Sequence, residues 1–501
     1  MDFANNYNGT ILLVDLDTGE TSNESLDEAL VEESLGGAAL NLKLYQKYAD
    51  RNPVILGTGL FTATFAPAAC LGVVTFKSPL NGGVCHVPLT WQSGVELKLT
   101  GFDFVVMLGS SAKPVRLWLH DGLADVEDSA DVWGKSTWET VDAIRQTYGD
   151  DQVQVICIGP AGESKSALAQ VSESYWGSKD KAALGKVFGE KNVKAVALRG
   201  LGMLEVADGF FDRCTGLMKE ITGGTLKDRR GLKETIASLP QDQLSRESLD
   251  SITHRNNACY NCFYACNTFV KYREPANTMA MSGVDEPGCM VTDLSGLLSF
   301  GFLGADAAAA LEQCFRLGLE PSGAAQVVKA QGAKNLPSAT EKLSALAKSA
   351  GGVKDAGLAH FFGVSPWPLK LSLEIGLVQA AGVFSNAVPP MPVVASWDAF
   401  GVKGSAADKA AWWMKRQSLA YILGICPIFA LTAPELSEQK LAELVNCSLG
   451  CEDFPADRLD NLAADTIRQT LKAGGPQGEV HASLQSEGFE AAYRDLTARF
   501  S

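Results

Sequence analysis

Asn8-Gly9-Thr10-Ile11-Leu12-Leu13-Val14-Asp15-Leu16-Asp17-Thr18-Gly19 reads as a strand running into a tight turn, a run of apolar and β-branched residues closed by Asp-Thr-Gly. Val115-Arg116-Leu117-Trp118-Leu119 ahead of Asp121-Gly122 repeats the pattern, and Asp-Gly beside alternating apolar residues is a strong hairpin signal. Residues 53–56, 73–76, 104–108, 153–158 and 193–198 are further short apolar runs bounded by glycine or proline. Only residues 25–48 and 136–148 show helical periodicity in this part, the second with a Ser/Thr start signal. The first two hundred residues are therefore expected to be β-rich.

Past Gly200 the period changes. Residues 207–221, 305–317, 338–347, 406–423, 437–445 and 457–471 place apolar side chains at helical spacing, and alanine becomes frequent. Boundaries near 200–202 and 401–405 divide the chain into a β-rich part (1–202), a helical part (203–402) and a C-terminal helical part (403–501), an α+β organisation without a repeat of fixed period.

A chain of 501 residues exceeds what one core usually serves. Its 46% apolar and 20% charged residues describe a folded globular protein rather than a disordered or fibrous one. Lys and Arg number 43 against 58 Asp and Glu, a net charge of −15, so a nucleic-acid backbone would be repelled. Met1-Asp2-Phe3-Ala4-Asn5-Asn6 has neither a basic nor an apolar leader pattern, and the apolar stretch 420–433 is short and contains Pro427. The expectation is a cytoplasmic protein without a membrane span.

Of 12 cysteines, nine lie apart in the sequence: Cys70, Cys85, Cys157, Cys214, Cys289, Cys314, Cys426, Cys447 and Cys451. Cys259-Tyr260-Asn261-Cys262-Phe263-Tyr264-Ala265-Cys266 holds the other three in a Cys-x2-Cys-x3-Cys pattern, which lets one turn of backbone aim three sulfurs at a 4Fe-4S cluster. A zinc site would call for a second short pair of ligands, and none with suitable spacing follows. A fourth thiolate must come from elsewhere. Cys426, in Leu423-Gly424-Ile425-Cys426-Pro427, is favoured because glycine permits close backbone approach and proline ends the helix; Cys289 is the other candidate. Cys447 and Cys451 lack a further ligand pair and read as structural thiols, His86 reads as a solvated loop histidine, and Trp412-Trp413 as core or a subunit contact.

The stretch quoted first, together with Leu35-Gly36-Gly37, Lys77-Ser78-Pro79-Leu80, Glu96-Leu97-Lys98, Gly101-Phe102-Asp103, Ile158-Gly159-Pro160-Ala161-Gly162-Glu163, Gly189-Glu190-Lys191-Asn192-Val193-Lys194-Ala195, Ala258-Cys259-Tyr260-Asn261-Cys262 and Leu423-Gly424-Ile425-Cys426, resembles the aldehyde ferredoxin oxidoreductases. These are tungsten-bispterin enzymes that also hold a 4Fe-4S cluster. The resemblance covers the chain and is densest in the first 200 residues. It implies an N-terminal domain of two β-sheets forming a base for the bispterin and two mostly helical domains closing over it. It also implies Cys426 as the fourth cluster ligand, since the family's last cluster cysteine ends an Asp-x-x-Gly-Leu-Cys motif.

The departures from the family pattern fall on residues that hold pterin. Ala38-Ala39-Leu40-Asn41 replaces a Gly-Arg turn, and Ala69-Cys70-Leu71 lacks an arginine expected at a pterin phosphate. Cys85-His86-Val87-Pro88-Leu89-Thr90-Trp91 replaces an Asn-Ser-Gly-Gly-like loop, and Ser178-Lys179-Asp180-Lys181-Ala182-Ala183 replaces Gly-Arg-Gly-Gly. Glu320-Pro321-Ser322-Gly323 keeps a carboxylate of the Asp-x-x-Gly type, whereas Tyr421-Ile422-Leu423-Gly424 has lost it. A glutamate expected beside the metal aligns near Asn277, and a histidine-bearing segment aligns with Phe384-Ser385-Asn386-Ala387-Val388.

An anionic bispterin without arginine forks leaves buried charge unpaired, although Lys179, Lys181 and Lys186 offer point charges. The expectation is a redox subunit with one 4Fe-4S cluster on Cys259, Cys262, Cys266 and Cys426, no catalytic residue of its own, and a pterin cavity filled by its own side chains. It would act as an electron relay or scaffold beside ferredoxin, another iron–sulfur subunit or an intact paralogue, in an oligomer or complex. The contrasting expectation is a working tungsten or molybdenum bispterin oxidoreductase of an aldehyde or unusual substrate.

Overall fold

A computed structural model describes residues 3, 5–224, 227, 250–263, 265–272, 288–291, 294–350, 373–384, 396–474 and 488–501. Two sheets build the N-terminal part. The first contains β1 (Thr10–Asp15), β2 (Glu20–Ser25), β3 (Val54–Thr58), β4 (Gly72–Lys77), β5 (Val84–Leu89) and β6 (Phe104–Leu108) in the order β2-β1-β6-β3-β4-β5. The second contains β7 (Val115–His120), β8 (Leu123–Asp128), β9 (Gln154–Ile158), β10 (Val171–Glu173) and β11 (Val193–Arg199) in the order β10-β9-β11-β7-β8. Both expected hairpins form: β1 pairs antiparallel with β2, and β7 with β8.

Side-chain alternation divides the first sheet between two cores. Leu12, Val14, Leu56, Val74, Phe76, Val105 and Met107 meet Leu117, Leu119, Ile156, Val196 and Leu198 of the second sheet. The opposite face, with Ile11, Ile55, Val73, Phe104 and Val106, packs against the helix Gly37–Lys47 and the C-terminal helices. A sheet buried on both sides is therefore the base on which the helical half rests.

Several motifs explain themselves as contacts between distant segments. The Asp103 carboxylate accepts from the backbone N–H groups of Asn8 (3.0 Å), Gly9 (2.8 Å) and Thr10 (3.2 Å), fixing the start of β1. Glu163 accepts from Lys194, and Lys191 Nζ donates to Gly109 O at 2.7 Å.

Three differences from the sequence reading have local causes. The helical stretch over 25–48 breaks into Glu28–Ser34 and Gly37–Lys47. A Cβ on Gly36 would lie 2.0 Å from Tyr7 Oη, and one on Gly37, at φ +48°, 1.8 Å from the Tyr421 carbonyl oxygen. Residues 84–89, read as a loop, form β5, an edge strand that can accommodate Pro88 without a central ladder bond. The half read as helical contains a three-stranded antiparallel sheet, β12 (Thr253–Asn257), β13 (Asn267–Lys271) and β14 (Gly288–Val291).

The helices Phe210–Gly223, Gly304–Leu317, Leu336–Leu346, Ala406–Leu423, Glu438–Ser448 and Ala456–Lys472 lie close to the expected positions. Among the described residues no helix is long and apolar enough to cross a membrane.

Candidate functional site

The loop over residues 59–71, between β3 and β4, joins two parts of the chain that are far apart in sequence. On one side Phe61 N donates to Leu423 O (2.7 Å), Leu71 N to Gly424 O (3.0 Å), and Cys426 N to Ala68 O (3.0 Å). On the other, Ala68 N donates to Asn261 O (3.0 Å), Asn261 Nδ2 to the carbonyls of Phe65 (2.9 Å) and Ala66 (2.8 Å), and Tyr260 Oη to Ala63 O (3.2 Å). The loop bearing Cys259, Cys262 and Cys266 and the segment bearing Cys426 are thus both bound to one support. Gly424 ends the helix Ala406–Leu423 at φ +79°, where a Cβ would strike Thr62. Pro427 opens the next helix, Pro427–Thr432, and Cys426 is its N-cap.

The same support carries Cys70, which sequence spacing set apart from the triad. Its buried thiol hydrogen bonds with Cys259, an interaction that raises the Cys70 pKa and lowers that of Cys259 to about 7. Lys179, the Trp91 backbone and Asn267 Nδ2, 3.8 Å from Cys259 Sγ, favour the Cys259 thiolate further. Burial pushes Cys266 up to about 12, with Lys179 opposing. Burial also raises Cys426, opposed by Lys179 and by the Ile428 and Phe429 backbone N–H groups at the start of its helix. Cys262 acts electrostatically on Cys70.

Lys179 is buried, which alone would lower its pKa, yet its electrostatic coupling to Cys266, Cys426, Cys259 and Cys70 outweighs burial and raises it. The Glu173 carboxyl is also buried nearby, accepts from Thr90 N at 2.7 Å, and is raised to about 7 by burial.

Among the described residues no three His, Cys, Asp or Glu side chains are close enough to hold one metal ion. A 4Fe-4S cluster asks for sulfurs around a cube rather than converging on a point; Cys266, Cys426, Cys259 and Cys70 act electrostatically on buried Lys179, and Cys262 acts on Cys70. Cys289 is elsewhere, donating to Ala308 O at 3.6 Å inside a separate apolar cluster with Val270, Leu311 and Phe315. Cys447 and Cys451 contact Asp208 O (3.7 Å) and Asn446 Oδ1 (3.2 Å).

The segments aligned with pterin anchors have different surroundings. His86 is fully buried rather than solvated, with Nδ1 2.8 Å from Thr75 Oγ1 and Nε2 3.0 Å from Thr470 Oγ1. Burial lowers its pKa to about 3, so the imidazole is neutral. Its backbone N donates to Val383 O at 3.0 Å, its ring faces Phe384 at 5.8 Å, and Phe384 faces buried Tyr421 at 4.9 Å between centroids. The retained carboxylate of Glu320 caps its own helix, accepting from Ser322 N (3.2 Å) and Gly323 N (2.6 Å), and pairs with Lys181 at 3.1 Å.

Lys186 stands 3.8 Å from Glu190. Asp180 holds its turn through the N–H groups of Ala182 (2.9 Å) and Gly185 (3.2 Å). Ala38, Leu71, Ala182 and Ala183 are buried. Among the described residues Lys181 and Lys186 are paired with Glu320 and Glu190 and these segments offer no arginine fork to a phosphate, so their charged groups do not fit the bispterin. Asn277 and residues 385–388 lie outside the described residues.

Comparisons with known proteins agree with this architecture. Residues 11–200 match the aldehyde ferredoxin oxidoreductase N-terminal domain. A tungsten-containing aldehyde ferredoxin oxidoreductase from Pyrococcus abyssi is 35% identical over 210 residues, covering 40% of this chain and 35% of the relative. An aliphatic sulfonate oxidoreductase, WOR-like subunit, from Pyrococcus furiosus is 27% identical over 226 residues, covering 40% of this chain and 36% of the relative. These matches thus span about a third of the relatives' length. The active site complex BamBC of benzoyl coenzyme A reductase, solved with 1,5-dienoyl-CoA, shares the fold with a TM-score of 0.75 over 99% of this chain and 94% of that one, at 17% identity.

The likeness to the aldehyde ferredoxin oxidoreductases is thus carried by the N-terminal domain, residues 11–200, at modest identity. The chain's fold is α+β, a two-sheet base under a mostly helical cover.

Proposed function

We propose that this chain is an electron-carrying subunit holding one 4Fe-4S cluster on Cys259, Cys262, Cys266 and Cys426, with its tungstopterin site given over to its own side chains. The observation that carries the first part is the common support: both cysteine-bearing segments hydrogen bond to residues 61–71 of the N-terminal domain. A 4Fe-4S cluster supplies one-electron transfer when bound. The chain's own residues favour the thiolate at Cys259, through Cys70, Lys179 and the Trp91 and Asn267 donors, while at Cys266 and Cys426 Lys179 works against a burial that raises both thiols.

The second part is supported by the packing of His86, Phe384 and Tyr421 and by the Lys181–Glu320 pair. A relative named as a subunit and a neighbour named as a complex favour a chain that works beside a partner, and an iron–sulfur protein such as a ferredoxin or an intact paralogue is the chemistry that suits it. The test is metal analysis of anaerobically purified protein. The reading expects about four iron atoms per chain and neither tungsten nor molybdenum; one tungsten or molybdenum per chain would instead establish an active bispterin oxidoreductase.

A further inference from the structure

The helices Gly304–Leu317 and Leu336–Leu346 share an apolar core of Ala310, Cys314, Ala339 and Leu343. Beside that core, and with Tyr272 just past β13, they border a cavity of about 330 Å³, a size within the range of small-molecule sites. Ala305, Ala309 and Arg316 recur on one face of the first helix, and Leu336 lines the cavity from the second. The cavity stands apart from the cysteine loop, because β13 runs between Cys266 and Tyr272, a rise of roughly 20 Å at about 3.3 Å per residue.

Arg316 is held from two directions. Its Nε donates to Oε1 of buried Glu312 at 2.6 Å, and its guanidinium carbon lies 3.8 Å from the centroid of the Trp138 ring. The other Glu312 oxygen accepts from Tyr272 Oη. Among the described residues the Nη1 and Nη2 groups of Arg316 have no hydrogen-bond acceptor. Asp306, in the first turn of the same helix, also lines the cavity; it is exposed and has no ion-pair partner among the described residues. Because Arg316 reaches back one turn to Glu312, its guanidinium sits near the level of residue 312, roughly 9 Å along the axis from Asp306 at about 1.5 Å per residue.

We infer that this cavity binds a small amino carboxylate, with the ligand's carboxylate accepting from the Arg316 Nη groups, its ammonium beside Asp306 and its hydrocarbon along Ala305, Ala309 and Leu336. Charge decides the class. Glu312 already balances Arg316, so a simple anion would add negative charge near two carboxylates, and a simple amine would leave the open edge of the guanidinium unused. A zwitterion meets both ends and adds no net charge. The site is independent of the cluster reading proposed above.

The experiment is isothermal titration calorimetry of the anaerobically purified full chain with 4-aminobutyrate, butyrate and butylamine as probes. One 4-aminobutyrate per chain is expected to bind, about tenfold more tightly than either singly charged probe, the worth of one charge-assisted hydrogen bond. Arg316→Met is expected to abolish the preference for 4-aminobutyrate over butylamine. Asp306→Asn, at an exposed position, and Ala309→Leu, which fills the cavity, are each expected to weaken 4-aminobutyrate by about tenfold or more; these two keep the test decisive if Arg316→Met does not fold. Butyrate or butylamine binding as tightly as 4-aminobutyrate would overturn the inference. So would the absence of saturable binding by any of the three probes, or binding that Asp306→Asn and Ala309→Leu leave unchanged. None of these results depends on iron content, so failure here leaves the cluster reading standing.

Discussion

The support loop and the β4–β5 edge both face the helical half, yet they treat their polar groups in opposite ways. Around residues 61–71 most backbone N–H groups are hydrogen bonded, while donors at Cys259 and the buried Lys179 act on sulfur. At β4 and β5 most polar side chains find partners in the protein: His86 lies between Thr75 and Thr470 of the helix Ala456–Lys472, and Asn41 Nδ2 donates to Val73 O at 2.9 Å while its Oδ1 is left unpaired. A site kept for a cofactor carries groups whose best partner is that cofactor. At the β4–β5 edge most polar groups pair within the protein and rings pack around them, although Asn41 Oδ1 is buried without a partner, where an unmet group costs about 1–3 kcal/mol.

The largest effect that separates the two regions is loss of the cluster itself. Cys426→Ala is expected to remove the brown absorbance and most of the iron, whereas Cys289→Ala retains both; the reverse pattern in iron analysis would move the fourth ligand to β14.

In the other region truncation should act as it does in any core. Phe384→Ala is expected to cost about 3–5 kcal/mol in denaturant unfolding, since the ring is buried between His86 and Tyr421. A cost under about 1 kcal/mol, far below such core truncations, would mean that this ring does not fill a packed interior.

The seam itself is probed by Gly37→Ala. A side chain in the left-handed region costs roughly 1–2 kcal/mol, and the added Cβ would meet the Tyr421 carbonyl at 1.8 Å, so thermal unfolding should shift downward by at least that amount. A neutral result would show that the two halves do not touch there.

The smallest effect is the pH dependence of His86. Above its ordinary pKa of 6.5 the ring is neutral in the folded and unfolded chain alike. As pH falls below 6.5 the unfolded chain takes up the proton first, and the folded ring resists until about 3. Stability is therefore lost with acidification by roughly 1.4 kcal/mol per pH unit across that window. Asp180, raised to about 6 by burial, acts in the opposite sense over part of this range and is common to both proteins, so the difference between wild type and His86→Gln isolates the histidine. Equal slopes for the two proteins in pH-dependent unfolding would contradict a buried neutral imidazole.

How much of this was legible in the sequence follows from what leaves a local pattern. Strand alternation and Asp-Gly turns mark β1, β2, β7 and β8, and sulfur spacing marks Cys259, Cys262 and Cys266. Cys70 leaves no such pattern, because it joins the triad only through the fold of residues 59–71. His86 was misread because Gly82, Gly83 and Pro88 suggest a loop, whereas an edge strand tolerates proline. Strands β12 to β14 were missed because Thr253-His254-Arg255-Asn256-Asn257 carries no apolar alternation; it pairs with β13, which provides the buried Phe269 and Val270. The break at Gly36-Gly37 was invisible because its cause, the Tyr421 carbonyl, lies far along the chain.

The central claim is that one region holds a cofactor while the other is packed with protein, and a crystal structure of anaerobically prepared protein with anomalous data at the iron and tungsten edges tests both at once. The account predicts iron density bounded by Cys259, Cys262, Cys266 and Cys426, with the rings of His86, Phe384 and Tyr421 in contact as described. Density for two pterins and a tungsten between the β4–β5 edge and the helical half would contradict it, as would iron density bound elsewhere.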